Sequence, residues 1–499
     1  MRSVKPRYSS AVMLVRWGRE GWEVFLVRRG RKSRFMPGFY ALIGGKVDRE
    51  DRELAMRYGY LAEEVTAIRE LFEEVGIFLH SSLTSEQYRG LCSRRGELLS
   101  GELSFAELLE EVGVELEVSS LFPLGVRTTP EFAPIRYRTQ FYLALFPTSQ
   151  EVDFHGEELE DGRWAGARVW LERWQREGLP LPPPVRHLLE FLVSVSSSSL
   201  EEVVESLRVF DDSLYTGRVY LVQFEPSVLM LPLATGTIAP ATHTNCYFLG
   251  QKEFYILDPA ASEGEGSEDC LLRAIDQLSE EGRRPRGILL THHHRDHVGG
   301  VVLLQRRFSL PLLAHRWTLE DLPFDLEGEV YCLEDGEVLE TDVGGWEVLH
   351  TPGHARGHLC FYLRPRGVLL AGDMVSTIST IFIPPFPEGD LGLYMGSLER
   401  LLDLSPRWLF PSHGPPTCFG RERIASYLRH RRMRERQILE ALSGGREDFE
   451  ELFCAVYGEE ELSSEAQVLA RLSLRSGLEK LVREGRVVEK GEGRYSLNL

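Results

Sequence analysis

The sequence lacks any apolar run long enough to cross a bilayer, and no signal-peptide core follows its first residues. We therefore expect no membrane span and a cytoplasmic location. Positive charge is also scarce: 57 Lys and Arg against 76 Asp and Glu give a formal net charge of −19. This imbalance argues against a general nucleic-acid-binding surface, although it leaves room for a local basic groove.

Cysteines are few and form no pattern. The seven cysteines are scattered along 499 residues, and no two of them have C-x-x-C spacing. An odd number without such spacing favours free thiols in a reducing cytosol over a disulfide framework. We find no internal repeat, and the length alone predicts two to four domains.

Residues 291–300, Thr-His-His-His-Arg-Asp-His-Val-Gly-Gly, are the most informative stretch of the chain. Four side chains in it can bind metal, in an H-x-H-x-D-H array: His292, His294, Asp296 and His297. Because four such residues so close together cannot share one face of a strand or helix, we predict a tight loop around cations. Imidazole and carboxylate ligands suit zinc, with iron or manganese as competitors. The alternative is a group of surface histidines, but a chance match to this array is improbable.

The array resembles the signature of the metallo-β-lactamase fold, a superfamily of metal-dependent hydrolases. Three further motifs of that signature follow: Thr-Pro-Gly-His at His354, Ala-Gly-Asp at Asp373 and Pro-Ser-His-Gly at His413. The resemblance implies a site for two cations. It implies one cation on His292, His294 and His354, another on Asp296, His297 and His413, and a bridge at Asp373.

The chemistry that this resemblance implies is hydrolysis by a metal-bound hydroxide. Such a hydroxide forms near neutral pH because the cation lowers the pKa of water to about 7. Asp296 would be catalytic by orienting it, and no protein nucleophile is needed. A metal-bound hydroxide could attack an ester, a thioester or a phosphodiester about equally well. The motif therefore predicts hydrolysis and does not identify the substrate.

A second motif lies near the N-terminus, at residues 69–77, Arg-Glu-Leu-Phe-Glu-Glu-Val-Gly-Ile. On a helix ending at Gly76, the carboxylates of Glu70, Glu73 and Glu74 share one face. Three crowded carboxylates repel one another unless a divalent cation binds, and oxygen ligands of this kind suit magnesium or manganese. The alternative is a solvated acidic face of a helix.

This stretch resembles the core of the Nudix box. The resemblance implies hydrolysis of a nucleoside diphosphate linked to another group, with the three glutamates holding the metal and acting in catalysis. We expect Arg28, Arg29 and Arg69 to bind substrate. Arg69 could instead orient the glutamates, and the basic cluster around Arg28 could be a solvated loop.

The Nudix resemblance has one departure, because Gly45 lies 24 residues before Arg69, which corresponds to roughly ten inserted residues. Either Glu50 or Asp51 could be the first acid of the box. Such an insertion is similar to the branch that includes coenzyme A diphosphatases. The Phe-Pro-Gly-Gly of the coenzyme A signature is replaced here by Leu-Ile-Gly-Gly (42–45), so the substrate stays open.

The C-terminal part of the chain changes to a helical pattern. Residues 421–441 predict a helix with seven arginines, at 421, 423, 429, 431, 432, 434 and 436. Residues 478–497 predict a helix and a short hairpin, which is typical of a winged helix. Thr-His-Thr-Asn (242–245) resembles the branch of lactamase-like protein 2 endoribonucleases, which carries such an appendage. We expect His243 to organise a loop, and the appendage to pack or gate rather than bind duplex DNA.

These observations predict a multidomain α/β protein. Because the serine run at 193–202 indicates a linker, we place four segments: a Nudix α/β/α sandwich at 1–195, a linker at 196–217, a metallo-β-lactamase αβ/βα sandwich at 218–418 and a winged-helix-like domain at 419–499.

Three functions fit these domains. The first is breakdown of acyl-coenzyme A, in which one site cleaves the thioester and the other the pyrophosphate. The second is processing of single-stranded RNA, with the arginine-rich helix as a phosphate track. In the third, the Nudix domain senses a nucleotide and regulates its neighbour. Each requires two zinc, iron or manganese ions in the lactamase-like site, and the first two require magnesium or manganese in the Nudix site.

Overall fold

The computed structural model describes residues 4–154, 159–195, 199–207, 218–261, 266–491 and 493–498. The chain divides into two compact units, Met1–Pro226 and Ser227–Leu499. Among the described residues, no helix combines the length and the apolar composition that a bilayer span needs.

The first unit contains one sheet with helices on both of its faces. The strands of this sheet are β1 (Arg7–Gly18), β2 (Gly21–Arg29), β3 (Tyr40–Ala41), β4 (Phe122–Thr128), β5 (Tyr137–Leu145) and β6 (Leu159–Gly166), whereas β7 (Val222–Glu225) is not part of it. Its helices are α1 (Arg49–Tyr58), α2 (Ala62–Val75), α3 (Ser85–Ser100), α4 (Phe105–Val112), α5 (Ala167–Glu177), α6 (Pro183–Ser194) and α7 (Leu200–Leu207). The strand order is β3–β2–β1–β5–β4, and β6 pairs with β2.

The two-residue period of β1 separates two hydrophobic cores. Val12 and Leu14 pack with α2, α3 and α4 on one face of the sheet. Met13 and Val15 pack with α5, α6 and α7 on the other. Since successive side chains of a strand point to opposite faces, a continuous apolar run builds a sheet that is covered on both sides.

The helix predicted over the second motif is α2, and it ends where the sequence indicates. Gly76 follows it with φ of 74°, and its N–H caps carbonyls of the last turn. Glycine adopts this left-handed conformation without the clash that a Cβ would cause. The prediction of a helix stopping at Gly76 is therefore confirmed.

The stretch predicted to be a linker contains a helix. Within 196–217 the described residues are 199–207, and α7 occupies most of them; the remainder lies outside the described residues. Val203, Val204 and Leu207 are buried in the second core of the first unit. The Leu-Glu-Glu-Val-Val sequence that follows the serine run is amphipathic, and its apolar side chains pack into this core.

The second unit contains two larger sheets and a C-terminal helical group. Its strands are β8 (Val228–Ala234), β9 (His243–Leu249), β10 (Glu253–Leu257), β11 (Arg284–Leu289), β12 (Leu312–Ala314), β13 (Val330–Cys332), β14 (Val338–Thr341), β15 (Gly344–His350), β16 (Leu359–Leu363), β17 (Val368–Gly372), β18 (Trp408–Pro411), β19 (Val487–Gly491) and β20 (Arg494–Leu497). Its helices are α8 (Ser267–Glu280), α9 (Arg295–Val298), α10 (Val301–Phe308), α11 (Arg316–Glu320), α12 (Leu391–Asp403), α13 (Gly420–Ser443), α14 (Phe449–Tyr457) and α15 (Ser464–Arg483).

The order of strands brings several loops together. One sheet runs β13–β12–β11–β10–β9–β8, and the other runs β14–β15–β16–β17–β18. The ligand motifs follow the last residues of β11, β15, β17 and β18. The prediction that apolar strands carry these motifs at their ends is therefore confirmed, and the sheets are those of a mixed α/β architecture.

The C-terminal helices form a core of their own. Ile438 of α13, Leu452 of α14, Leu478 of α15 and Val487 of β19 are buried together. Strands β19 and β20 form the hairpin that the sequence predicts after a helix. Helix α13 covers the arginine-rich stretch for which a helix was predicted.

Candidate metal centres

The H-x-H-x-D-H array lies on a loop that leads into the short helix α9. His292 and His294 precede the helix, and Asp296 and His297 lie within it. The glycines that follow allow α9 to lie close to a neighbouring backbone. A Cβ at Gly299 would come within 1.9 Å of a carbonyl oxygen of the 259–261 segment, so no larger residue fits there.

Three histidine nitrogens face one another in the first cluster. The Nδ1 atom of His294 lies 2.9 Å from Nε2 of His292 and 3.0 Å from Nε2 of His354. The three ligand atoms all lie within 4.8 Å of one another. The structure thus brings together the three residues predicted to share one cation.

The second cluster contains Asp296, His297 and His413, whose ligand atoms also lie within 4.8 Å of one another. The Nε2 atom of His413 is 3.5 Å from Oδ2 of Asp296, and that of His297 is 3.9 Å from Oδ1 of the same residue. The structure therefore also brings together the three residues predicted for the other cation.

Asp373 lies between the two clusters. Its Oδ1 is 3.3 Å from Nε2 of His413 and 3.7 Å from Nε2 of His297. Its Oδ2 is 3.5 Å from Nε2 of His354. Since the two oxygens face different clusters, this carboxylate has the position that a bridging ligand needs.

Hydrogen bonds on the far side of the rings determine which nitrogens face the clusters. Nδ1 of His354 lies 3.0 Å from the carbonyl oxygen of Phe382, and Nδ1 of His413 lies 3.1 Å from that of His243. Because a carbonyl only accepts, each Nδ1 carries the proton and each Nε2 presents a lone pair. His243 thus contributes its backbone carbonyl to the site, which agrees with the expectation that it organises a loop.

Two residues that the sequence did not indicate orient His292 and His297. Nδ1 of His297 is 3.0 Å from Oδ2 of Asp258, and the Thr291 hydroxyl donates to the same oxygen at 2.7 Å. That hydroxyl lies 2.9 Å from Nδ1 of His292, which therefore donates to it. Asp258 is buried at the end of β10 with φ of 49°. An Asp-Pro pair closing an apolar run is the one signal that could have indicated it.

His358 is a further residue that the motifs did not reveal. It is fully buried, and its Nε2 accepts from the backbone N–H of Asp373 at 3.1 Å. Its Nδ1 lies 2.9 Å from the Thr351 hydroxyl. A Cβ at Gly372 would lie 2.5 Å from Nε2 of His358, so glycine is required before the aspartate. This contact fixes the backbone that carries the bridging candidate.

The electrostatics of the clusters suit cations. Burial lowers the pKa of His354 to about 3, so its ring is neutral at physiological pH. Burial also opposes the charged form of His297, but Asp296, Asp258 and Asp373 raise its pKa to about 10. Its Nε2 is buried and has no hydrogen-bond partner among the described residues. A nitrogen of this kind, facing two carboxylates, fits a site for a cation.

In the first unit, the Arg69 guanidinium organises the carboxylates of α2. Its Nε and Nη2 donate to the two oxygens of Asp51 at 2.8 and 2.9 Å. Its Nη1 donates to Glu73 at 2.7 Å and lies 2.9 Å from Glu70. Arg69 is 6% exposed. These contacts differ from the expected substrate contact, because the guanidinium is occupied by carboxylates within the fold.

The structure distinguishes the two candidates for the first acid of the box. Asp51 is fully buried and pairs with Arg69, whereas Glu50 accepts from the N–H of Ala106 at the start of α4. Between Asp51 and Arg69 the chain forms the rest of α1, a turn and the first half of α2. The roughly ten inserted residues therefore lengthen this part of the chain while Asp51 and Arg69 remain in contact.

Two glycines allow the glutamates of α2 to approach the neighbouring backbone. The N–H of Gly44 donates to Glu74 at 3.2 Å. A Cβ at Gly45 would lie 2.1 Å from Oε1 of Glu70, so that carboxylate occupies the space a side chain would fill. Burial raises the pKa of Glu73 to about 7 against the effect of Arg69, and burial likewise raises the pKa of Glu70.

The arginines expected to bind substrate lie at the end of β2. Nε of Arg28 donates to the carbonyl of Gly38 at 3.4 Å, and Nε of Arg29 donates to the Ser33 hydroxyl at 3.2 Å. Among the contacts of the described residues, neither arginine meets the glutamates of α2. Arg28 and Arg29 therefore contact the loop that follows β2, and their contact with substrate stays a prediction.

Comparison with known proteins places the second unit in a family. Residues 239–413 match the family model of the metallo-beta-lactamase superfamily. The lactamase-like protein adaB of Aspergillus niger is 32% identical over 41% of this chain. That match spans 60% of adaB, which is less than two thirds of its length. The beta-lactamase-like protein 2 homolog of Drosophila melanogaster is 32% identical over 40% of this chain and 67% of its own length.

Further similarities are to another curated relative and to two solved structures. An atrochrysone carboxyl ACP thioesterase of Claviceps purpurea is 31% identical over 43% of this chain and 67% of its own length. A crystal structure of a metallo-beta-lactamase family protein from Thermus thermophilus has a TM-score of 0.45, with 26% identity over 55% of this chain and all of that one. A Nudix hydrolase structure from Alicyclobacillus acidocaldarius has a TM-score of 0.34, with 29% identity over 41% of this chain and 97% of that one. The family match and the relatives covered over two thirds of their length show that this chain belongs to the metallo-beta-lactamase superfamily.

Proposed function

We propose that this protein is a bifunctional metal-dependent hydrolase, in which a two-metal site of the second unit cleaves an acyl thioester. The first unit would hydrolyse the pyrophosphate of a nucleoside-diphosphate-linked molecule such as coenzyme A. The observation that carries the proposal is the convergence of all seven predicted ligands of the second unit into three overlapping groups.

The proposal includes an assignment of domains. Residues 1–195 would form the Nudix domain, 218–418 the metallo-β-lactamase domain and 419–499 a winged-helix-like domain. Helices on both faces of the first sheet support the first assignment, and the hairpin after α15 supports the last.

In the second unit, seven side chains would hold two zinc or iron ions. When bound, these cations would activate a water molecule and polarise the carbonyl of the bond under attack. Asp373 would touch both ions, because its two oxygens face different histidine clusters. Asp296 would orient the attacking water, and its Oδ2 lies 3.5 Å from Nε2 of His413.

A thioester is the substrate class that the comparisons favour. One relative that matches over two thirds of its length is named an acyl carrier protein thioesterase. The net charge of −19 agrees with this choice, because an acidic protein suits a small acyl substrate better than a long polyanion.

In the first unit, Glu70, Glu73 and Glu74 would hold magnesium or manganese. Arg69 would orient the first two, since its guanidinium is buried between them and Asp51. Arg28 and Arg29, at the end of β2, would bind a phosphate of the substrate. The raised pKa values of Glu70 and Glu73 agree with a cation site, because buried carboxylates without a cation hold their charge poorly.

The test is to identify the products after the full chain is incubated with an acyl-coenzyme A, zinc and magnesium. We expect free coenzyme A from the second unit, and mass spectrometry should show its loss in His294→Ala. We also expect adenosine 3′,5′-bisphosphate from the first unit, and its loss in Glu73→Gln. If acyl-coenzyme A stays intact with protein shown to hold its metals, acyl-coenzyme A is ruled out as the substrate.

Cleavage of single-stranded RNA is the competing proposal, and the structure weakens its main support. Four arginines of α13 already bond to neighbouring groups of the second unit: Arg423, Arg431, Arg432 and Arg434. Arg421, Arg429 and Arg436 are exposed and would be the residues available to phosphates. If RNA is cleaved and the triple variant Arg421→Glu, Arg429→Glu and Arg436→Glu leaves the rate unchanged, the phosphate track is excluded.

A sensing role for the first unit is the remaining alternative. It predicts that a nucleotide binds at the glutamates and that no product of pyrophosphate cleavage ever forms. The double variant Glu73→Gln with Glu74→Gln distinguishes the two roles, because persistent binding without any turnover by the parent protein would favour sensing.

A further inference from the structure

The loop between β17 and α12, residues 376–390, contacts two metal-ligand candidates. The carbonyl of Phe382 accepts from Nδ1 of His354 at 3.0 Å. Oε1 of Glu388 lies 3.4 Å from Nε2 of His294, the nitrogen that faces away from the cluster. This loop, called the site loop below, therefore orients His354 and places a carboxylate close to His294.

The opposite side of the site loop is held by the C-terminal helices. The carbonyl of Ile383 accepts from the hydroxyl of Ser476 at 2.9 Å, and the carbonyl of Ile381 accepts from the Arg431 guanidinium. Phe382 lies between these two residues. Its carbonyl bonds the histidine while its two neighbours bond the helices, as alternating directions along an extended backbone allow.

The segment that carries Glu388 has its own attachments to α15. The N–H of Phe386 donates to Oε2 of Glu479 at 2.9 Å. The Arg483 guanidinium lies 4.3 Å from the centre of the Phe386 ring and also pairs with Asp390. Helix α15 therefore contacts the site loop at both the histidine-bonding and the glutamate-bearing segments.

Packing inside the C-terminal group fixes the position of Ser476. This residue is 4% exposed, and Leu474 and Leu478 beside it are buried in the core of that group. Its hydroxyl also lies 3.0 Å from the carbonyl of Leu472, so one proton is shared between the helix and the loop. A hydroxyl held this way transmits the position of the helix to Ile383.

We infer that Ser476 is a positioning residue for the metal centre, acting through Ile383 and Phe382 on His354. The C-terminal group is then part of the architecture of the hydrolytic site. The inference rests on the proposed function, because it requires that His354 binds a cation. Beyond the proposed function, the inference assigns to Ser476, which lies outside the family match, a contribution to the affinity for that cation.

The test is a zinc titration of the metal-free full chain in competition with a chromophoric chelator. We expect Ser476→Ala to weaken one of the two zinc-binding steps by about 3- to 10-fold and leave the other unchanged. This is less than the 10- to 100-fold typical of direct partners of a ligand, because Ser476 acts one residue further out. Ser473→Ala is the matched control, since among the described residues the hydroxyl of Ser473 bonds only the carbonyl of Leu469 in its own helix.

Two variants of Glu479 test the contact between α15 and the other end of the site loop. Glu479→Ala removes the acceptor for the N–H of Phe386, whereas Glu479→Gln keeps an oxygen there. We expect weaker binding at the same step in Glu479→Ala and recovery in Glu479→Gln. The visible spectrum of the cobalt-substituted protein should change in Ser476→Ala, because a shifted His354 alters the ligand geometry.

The outcomes separate this inference from the proposed function. If the parent protein binds two zinc ions and Ser476→Ala binds them equally well, the positioning role is rejected and the metal site stands. If both binding steps weaken together with the midpoint of unfolding, the role of Ser476 is structural and the inference fails. If the parent protein binds no zinc, both the proposed site and this inference are rejected.

Discussion

His297 and Asp258 are joined inside the second unit by a 3.0 Å contact between Nδ1 and Oδ2, although 39 residues separate them in the chain. Both side chains are almost completely buried. The contact directs the proton of His297 away from the candidate metal centre and leaves Nε2 facing Asp296 and Asp373.

The first prediction concerns this contact. Asp258→Asn should weaken zinc binding at the step that involves His297 by about 10- to 100-fold, because the amide has lost the charge that favours the correct tautomer. The chelator competition described above measures the affinity. Asp269→Asn, an exposed position on α8, is the control, and equal losses in both variants would contradict the role of Asp258.

The second prediction concerns the buried pair in the first unit. Asp51→Asn should lower the free energy of unfolding by about 3–5 kcal/mol, because it leaves the Arg69 guanidinium buried without its full counter-charge. Chemical denaturation followed by tryptophan fluorescence measures the change. Asp48→Asn is the control, since its side chain is 47% exposed and asparagine caps a helix equally well. A loss below about 1 kcal/mol in Asp51→Asn would argue against a structural role for the pair.

The third prediction separates catalysis from stability in the first unit. Gly45→Ala should reduce pyrophosphate cleavage by roughly 100-fold, because the new Cβ displaces the Glu70 carboxylate from the space it occupies. The unfolding midpoint should hardly change, since the atom that moves is the end of a flexible side chain. Gly96→Ala in α3, where a Cβ meets open space, should leave the activity intact. Full activity in Gly45→Ala would show that Glu70 does not act from its present position.

The fourth prediction concerns acid stability. Burial, reinforced by Arg186 and Arg127, lowers the pKa of His187 to about 3. An unfolded histidine has a pKa near 6.5, so below this pH the unfolded state binds more protons than the folded one. Stability should therefore fall as the pH drops from about 6.5 towards 3.

The measurement is the free energy of unfolding at several pH values in the parent protein and in His187→Gln. Between pH 7 and pH 5 the parent should lose about 2 kcal/mol more than the variant, as the linkage of one such histidine requires. Above pH 7 the difference between the two proteins should be constant. Parallel curves down to pH 4 would contradict a half-buried neutral imidazole at this position.

The clustering of the candidate metal ligands could be predicted from the sequence because short motifs carry them. Four candidates lie within six residues, and this spacing alone excludes that all share one face of a single strand or helix: His292, His294, Asp296 and His297. Local signals also predicted the end of α2, because Gly76 supplies the left-handed conformation that closes a helix.

The groups that orient the ligands could not be predicted in the same way. Asp258, His358 and Ser476 act through contacts that the fold creates between distant segments. The choice between Glu50 and Asp51 likewise depends on where Arg69 lies, 18 residues after the second of them. Helix α7 was missed because a serine run precedes it, and burial of Val203 and Leu207 appears only once the second core is formed.

Under the proposed function, seven side chains of the second unit hold two metal ions. The most direct test is to count zinc ions per chain by elemental mass spectrometry, after zinc loading and gel filtration in magnesium buffer. We predict two zinc ions for the parent protein and a loss of zinc in both His294→Ala and His413→Ala, while His80→Ala keeps two. A parent protein without zinc, or ligand variants that retain both ions, would contradict the claim.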